Sequence, residues 1–222
     1  STNSLGALKT NQVQALSTDQ VVALSTAQIG GLSTSTINAL SSNQVRAIET
    51  DDIQALSSKQ LGSLATSTIA AITTDQVVAL NSDQVSTLAT STIKALSSNQ
   101  IQAIETDDIR VLTSAQIATL TTATVAALST DQIQALQTSQ INKLSTAGLA
   151  ALSSAQTVAL TTLQVNNLTT AAVQALSTAS VAALETDDIQ ALSTNSLGAL
   201  KTNQVQALST DQVVALTTEQ IG

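Results

Sequence analysis

Leu or Ile stands at every eighth residue of this chain, from Leu8 to Leu216, without one slip of register. With octads numbered so that Thr2 holds position 2, position 8 reads Leu8, Leu16, Leu24, Leu32, Leu40, Ile48 and onward. Position 5 is Leu, Val or Ile from Leu5 to Ile221, with Thr157 the one departure. Position 2 is Ser or Thr throughout and position 7 is mostly Ala, so the consensus is S-T-x-Q-(V/I)-x-A-L. A period this short means one small unit repeated, and such a unit buries its apolar face only against its neighbours.

A second repeat lies on top of the first. Residues 1–30 recur as residues 193–222 with two changes, Ser25 against Thr217 and Ala27 against Glu219. Copying a whole surface adds length and gives position-specific catalysis nothing. The chain opens at Ser1 without Met, as a processed piece or a fragment of a longer array would.

A single long helix does not fit the octad. Eight residues overshoot two helical turns by roughly 80°, so the Leu positions would spiral around the surface. A train of short helices does fit. Ser and Thr are strong N-caps, because the hydroxyl accepts a bond from an orphaned backbone N–H. The unvarying hydroxyl at position 2 therefore predicts one helix start per octad. All fifteen acidic residues fall at positions 1, 3 or 4 (Asp19, Glu49, Asp51, Asp52 and Asp211 among them), beside the expected helix N-terminus, where the peptide dipoles favour negative charge. Basic residues reach positions 6 and 7, as in Arg46, Lys94, Arg110 and Lys143.

On a helical wheel of about 100° per residue, positions 7, 4, 8 and 5 share one arc of about 160° and positions 3 and 6 lie opposite. Positions 3 and 6 are the variable ones. Position 4, usually Gln, is thereby placed on the buried side, where an unpaired polar group costs roughly 1–3 kcal/mol. Gln12, Gln20, Gln28 and their equivalents are expected to bond the backbone of a neighbouring octad. The fold class expected is all-α: a solenoid of short capped helices, one per eight-residue repeat, running as a single continuous array over residues 1–222. The alternative is a β-solenoid, which Val, Ile and Thr suit. Against it stand Ala, Leu and Gln, which favour helix, and the scarcity of corner Gly and Asn. With two octads per superhelical turn and about 9 Å between helices, the array would be a rod on the order of 120 Å long; with four per turn, half that and thicker.

Composition narrows the chemistry. The chain has no Phe, Trp, Tyr, Met, Cys, His or Pro, yet 43% of it is hydrophobic, too apolar for a disordered chain. A net charge of −8, with seven basic residues scattered singly, leaves no patch to neutralise phosphates or anionic lipid. No nucleic-acid partner is expected, and no membrane insertion, since no apolar run approaches the roughly 18 residues a span needs. No signal-peptide pattern opens the chain. Absence of Cys is compatible with secretion, though a Cys-free cytosolic protein fits equally. Without His and Cys the commonest general base and activated nucleophile are missing, so no catalytic, cofactor-binding or metal-ligating residue is assigned and no enzyme or cofactor is expected.

Three acidic clusters recur, Glu49-Thr50-Asp51-Asp52, Glu105-Thr106-Asp107-Asp108 and Glu185-Thr186-Asp187-Asp188. Oxygen ligands of this kind suit calcium, but the glycine-bearing loop is missing and the helix N-terminus accounts for the acids. Thr157 reads as tolerated drift. Spaced Thr would suit an ice-binding face only as flat exposed rows, and the capping role uses those hydroxyls.

Two resemblances follow from these residues. Leu16-Ser17-Thr18-Asp19-Gln20-Val21-Val22-Ala23-Leu24 resembles the opening helix of a TAL-effector repeat. That family has longer, basic repeats with a base-reading loop, and neither is present here, so DNA binding does not carry over. The whole chain resembles the Ala/Leu/Thr/Gln octapeptide arrays of large secreted bacterial surface proteins of the adhesin or haemagglutinin-like kind. That resemblance implies an extracellular or cell-surface location and a structural role as an extender or filament-forming element, with end-to-end self-association. The alternative role is a solenoid binding module for a protein or glycan partner.

Overall fold

The computed structural model describes residues 9–222, so the expectations for Thr2, Leu5 and Leu8 lie outside the described residues. The chain divides into two compact units, 1–112 and 113–222. Both are built from helices of four to six residues, one per octad, the first Thr10–Gln14 and the last Thr218–Ile221. No strand occurs among the described residues.

Each octad spends positions 2 to 5, 6 or 7 on the helix and the rest on a short corner. Leu136, for example, ends the helix Thr130–Ala135 at φ −57°, ψ 133°. The N-caps have φ near −70° and ψ near 160°, as at Ser129 (−71°, 163°). No described residue has a positive φ. An extended corner needs no left-handed residue, which is why the chain turns every eight residues with so little Gly and no Pro.

The cap is not where the sequence placed it. The capping hydroxyl belongs to position 1, and position 2 is the first helical residue. Ser41, Ser129 and Ser153 each accept a bond from the N–H of the position-4 Gln. In return the Gln side-chain oxygen accepts from the cap's own N–H, at 2.8 Å for Ser41 and 2.9 Å for Ser129. This is the reciprocal capping box, S-x-x-Q, and it satisfies two of the donors that a helix start leaves open. The unvarying position-2 hydroxyl drew the cap one residue too far along, yet that residue is exposed in most octads. The Ser-to-Gln spacing of three was the signal that marks the true cap.

The helical wheel holds for all but one position. Between residues 36 and 192 positions 4, 5 and 8 are buried, and positions 3 and 6 face outward in most octads. Position 7, expected on the buried arc, is half-buried in most octads and exposed in others, Lys143 and Asn167 among them. Ile93 and Ile133 have no exposed surface at all. An enclosed void in the first unit, bounded by side chains such as Ile53, Leu56, Ile69 and Val77, measures about 20 Å³, room for one water at most. Close-packed aliphatics of medium size fill the axis.

Coiling is set by which helices touch. In the first unit Thr10–Gln14 packs on Thr34–Ala39, and Ser82–Thr87 packs on both Ser58–Gly62 and Thr106–Val111. In the second, Ser154–Val158 packs on Thr178–Ala183 and Thr162–Asn166 on Thr186–Ala191. Every such pair is three octads apart, while the longest-reaching side-chain bonds join octads four apart. One superhelical turn therefore holds between three and four octads, neither of the two values considered from sequence. Each octad sits over the joint between two octads of the coil before it, as bricks do.

Candidate functional site

The recurring polar element is the position-4 Gln. Its oxygen serves its own cap; its amide reaches the preceding coil. Gln44 Nε2 donates to Val13 O and Leu16 O, both at 2.8 Å. Gln76 does the same to Val45 O and Ile48 O at 2.8 and 2.7 Å, and Gln164 to Ile133 O and Leu136 O at 2.9 and 2.6 Å. The acceptors are positions 5 and 8 of the octad four places earlier, except that Gln60 takes Gly30 O, at position 6, with Leu32 O. The expected bond to a neighbouring backbone is real, but the neighbour is four octads away in sequence and adjacent only in the coil. Gln12 and Gln20, named in that expectation, are exposed, and Gln28 is half-buried; no octad lies four places before theirs in this sequence.

Octads without Gln use other devices. Ser180 Oγ and Ser196 Oγ donate to Leu152 O and Leu168 O, replacing the amide at the position-8 carbonyl. Where Ala172 leaves the cap N–H of Thr169 unserved, Asn142 Oδ1 accepts it from four octads back at 2.9 Å. Asn38 does the same for Ala65 N, whose octad carries Thr68 at position 4. Position 6 of one octad thus adjoins position 1 of the octad four later. It also meets position 7 of the octad three later: Arg46 Nε donates to Ala71 O at 3.0 Å. Thr157, read as drift, is fully buried and bonds Ser153 O within its own helix, so the hydroxyl causes no unpaired group.

The three acidic clusters behave unlike the other octads. Asp52, Asp108 and Asp188 take the Gln position and are buried. A carboxylate can accept but cannot donate to the carbonyls of the coil before. Asp108 Oδ1 instead accepts from Ser82 Oγ at 2.6 Å, and Asp188 accepts from Thr162 and from the Glu185 backbone. Burial raises the pKa of Asp108 and of Asp188 above the ordinary carboxylate value, partly offset by these bonds, and neighbouring acids push the same way. Among the described residues no group of three or more acids, His or Cys is arranged to hold a metal ion. Glu49, Glu105 and Glu185 stand at the cap position without a side-chain cap bond, so their carboxylates are not consumed by the helix.

A raised carboxyl pKa has a signed consequence for stability. The folded state holds this proton more tightly than the unfolded chain, so the group's contribution is largest in acid. It falls as the pH climbs from the ordinary carboxylate range through the raised value. Asp188→Asn keeps the shape and removes the titration. The variant is expected to gain on the parent at pH 7 relative to pH 3, read from denaturant midpoints at both. A difference independent of pH would mean that Asp188 is ordinary in the folded state.

The repeat joins position 7 of one octad to position 4 of the next as A-L-S-T-x-Q. The ALTTAQ repeat family matches residues 1–34, 27–58, 45–82, 55–90, 101–138, 133–170, 162–194 and 194–222. The chain belongs to the ALTTAQ repeat family. The matched stretches overlap and together leave only residues 91–100 aside. No curated protein matches the chain. In structural terms the ALTTAQ signature holds what one coil needs to join the next: Leu for the axis, the cap hydroxyl, and the Gln that spans four octads.

Among the described residues no helix is long and apolar enough to cross a membrane.

Proposed function

We propose that the chain is a structural repeat element, a rod that extends or builds a filament of a bacterial cell-surface or extracellular appendage, and that it is not an enzyme. The observation that supports this reading is the sameness of the joint. Gln44, Gln76, Gln164 and Gln212 all make the same pair of bonds to positions 5 and 8 of the octad four places earlier. A joint that depends on backbone carbonyls and one side chain can be repeated indefinitely, so length is the property that duplication adjusts. The secreted setting comes from the resemblance to octapeptide arrays of surface proteins and agrees with a chain free of thiols.

End-to-end association belongs to the same proposal. Val205 and Val213 occupy position 5, which is buried from Val13 to Ile189, and each is 51% exposed. Gln12 and Gln20 are exposed at the other extreme, with amides of the kind that elsewhere seek the carbonyls of a preceding coil. A second copy stacked in register would supply both partners. Electron micrographs of the purified chain, with small-angle scattering over a concentration series, test the proposal. Rods that lengthen with concentration are expected. Globular particles would overturn the structural reading, and rods of constant length would remove the end-to-end association alone.

A further inference from the structure

The acids are confined in the coil as well as in the octad. In the first unit all nine lie in five octads, those of Asp19, Asp51, Asp75, Asp83 and Asp107. These five stack. Val22, Glu49, Asp51 and Asp75 line one open groove with Arg46. Thr50–Gln54 packs on Thr74–Val78, and Ser82–Thr87 packs on Thr106–Val111. In the second unit all six acids lie in the octads of Asp131, Asp187, Asp211 and Glu219. There Thr186–Ala191 packs on Thr210–Val214, which joins the octads of Asp187 and Asp211.

A second feature coincides with the first and has no part in the fold. Position 6 adjoins position 1 of the octad four later, 27 residues on, as the Asn38–Ala65 and Asn142–Thr169 bonds show. Every Glu at position 1 has Val at that adjoining position: Val22 with Glu49, Val78 with Glu105 and Val158 with Glu185. The three valines are exposed to nearly the same degree, 44%, 45% and 44%. Elsewhere position 6 is mostly Gln, Ala, Gly or Asn. Neither member of the pair caps a helix, seals the axis or joins a coil. Leu163, in the octad after that of Val158, is 66% exposed. Carboxylates and branched aliphatics thus lie together in each unit; Arg46 lines the same groove and Arg110 pairs with Asp107 at 2.9 Å, while Lys59 and Lys94 sit in octads without acids.

We infer that this face is an interaction surface for a basic, amphipathic segment of another protein. In the first unit, lysine or arginine side chains of the partner would meet Glu49, Asp51 and Glu105 and its apolar side chains would cover Val22 and Val78; in the second, taken by itself, Glu185, Asp187 and Val158 offer the same pairing. Charge complementarity selects the sign of the partner, and the exposed valines require apolar groups between its charges. The Val–Glu pair occurs twice in the first unit, so a partner long enough to reach both gains from simultaneous engagement.

The test uses the full chain and two synthetic probes of equal charge, a helical Lys/Leu amphipathic peptide and oligolysine, titrated by calorimetry at 50 mM salt. The Lys/Leu peptide is expected to bind at least tenfold more tightly than oligolysine. Val22→Ser with Val78→Ser and Val158→Ser should erase that preference, and Glu49→Gln with Glu105→Gln and Glu185→Gln should weaken the Lys/Leu peptide at least fivefold. Lys59→Gln with Lys94→Gln should leave it unchanged or slightly tighter. Oligolysine binding as tightly as the amphipathic peptide would overturn the proposal, leaving only a diffuse ion atmosphere. So would an unaltered preference in the triple Ser variant, whose folding is checked by its unchanged helical circular dichroism.

Discussion

Replacing Gln164 by Leu should cost the folded chain about 2–5 kcal/mol, although the new side chain is apolar and close in size. Gln164 Oε1 no longer accepts from Thr161 N at 2.8 Å, and Nε2 no longer donates to Ile133 O and Leu136 O or, at 3.4 Å, to Gln134 O. Ile133 O keeps a bond from Leu136 N, so the largest losses fall on Leu136 O and on the cap N–H. Gln164→Glu separates the two halves of the role. The carboxylate still accepts from the cap but turns negative charge toward two carbonyl oxygens, so at pH 7 it should be the worse substitution. In acid, once protonated, it donates again and should recover part of the loss. Denaturant unfolding of both variants at pH 7 and pH 4 measures this. Glu no worse than Leu at pH 7 would mean that the amide's bonds to the earlier coil contribute little.

Ile133→Ala should destabilise the chain by about 2–5 kcal/mol through a different cause. Ile133 has no exposed surface and belongs to the axial column of position-5 side chains. Neighbouring octads are tied by the Gln bonds, so they relax poorly into the space, and the cavity term stays. Its backbone carbonyl is also the acceptor of Gln164 Nε2, so the two substitutions share a joint. The double variant should lose less than the sum of the single losses, because residues that share a partner are coupled. Thermal or denaturant midpoints of the two single variants and the double variant decide the point. Strict additivity would show that axial packing and coil-to-coil bonding act independently.

Much of this was legible before any coordinates. The period of eight, read against a helix turn of about 3.6 residues, excluded a continuous helix and left a train of short ones. The wheel over positions 3 to 8 placed Leu, Val or Ile and Gln on the buried arc, where they lie. The acid distribution marked the helix N-termini, which the structure finds at position 1. What failed was local. The unvarying Thr or Ser at position 2 outweighed the more variable position 1, where Ser129 and Ser153 do the capping and Glu49 and Glu185 do not cap at all. Residue constancy points to position 2, whereas the three-residue spacing to Gln identifies the cap at position 1.

Local preference and the octad pattern by themselves determine that each eight residues make one capped, amphipathic helix that cannot stand alone. Hydroxyl spacing, dipole-matched charge and side-chain periodicity all act within a few residues, so they are written in the order of the chain. Which octads touch is another matter. It depends on the small angle added at each Leu-to-cap corner, and corner angles of φ −57°, ψ 133° at Leu136 follow from packing that no single octad contains. Only the coil sets the closure between three and four octads. With it come the four-octad reach of Gln164, the surrogate cap from Asn142, and the meeting of Val22 with Glu49 on one face.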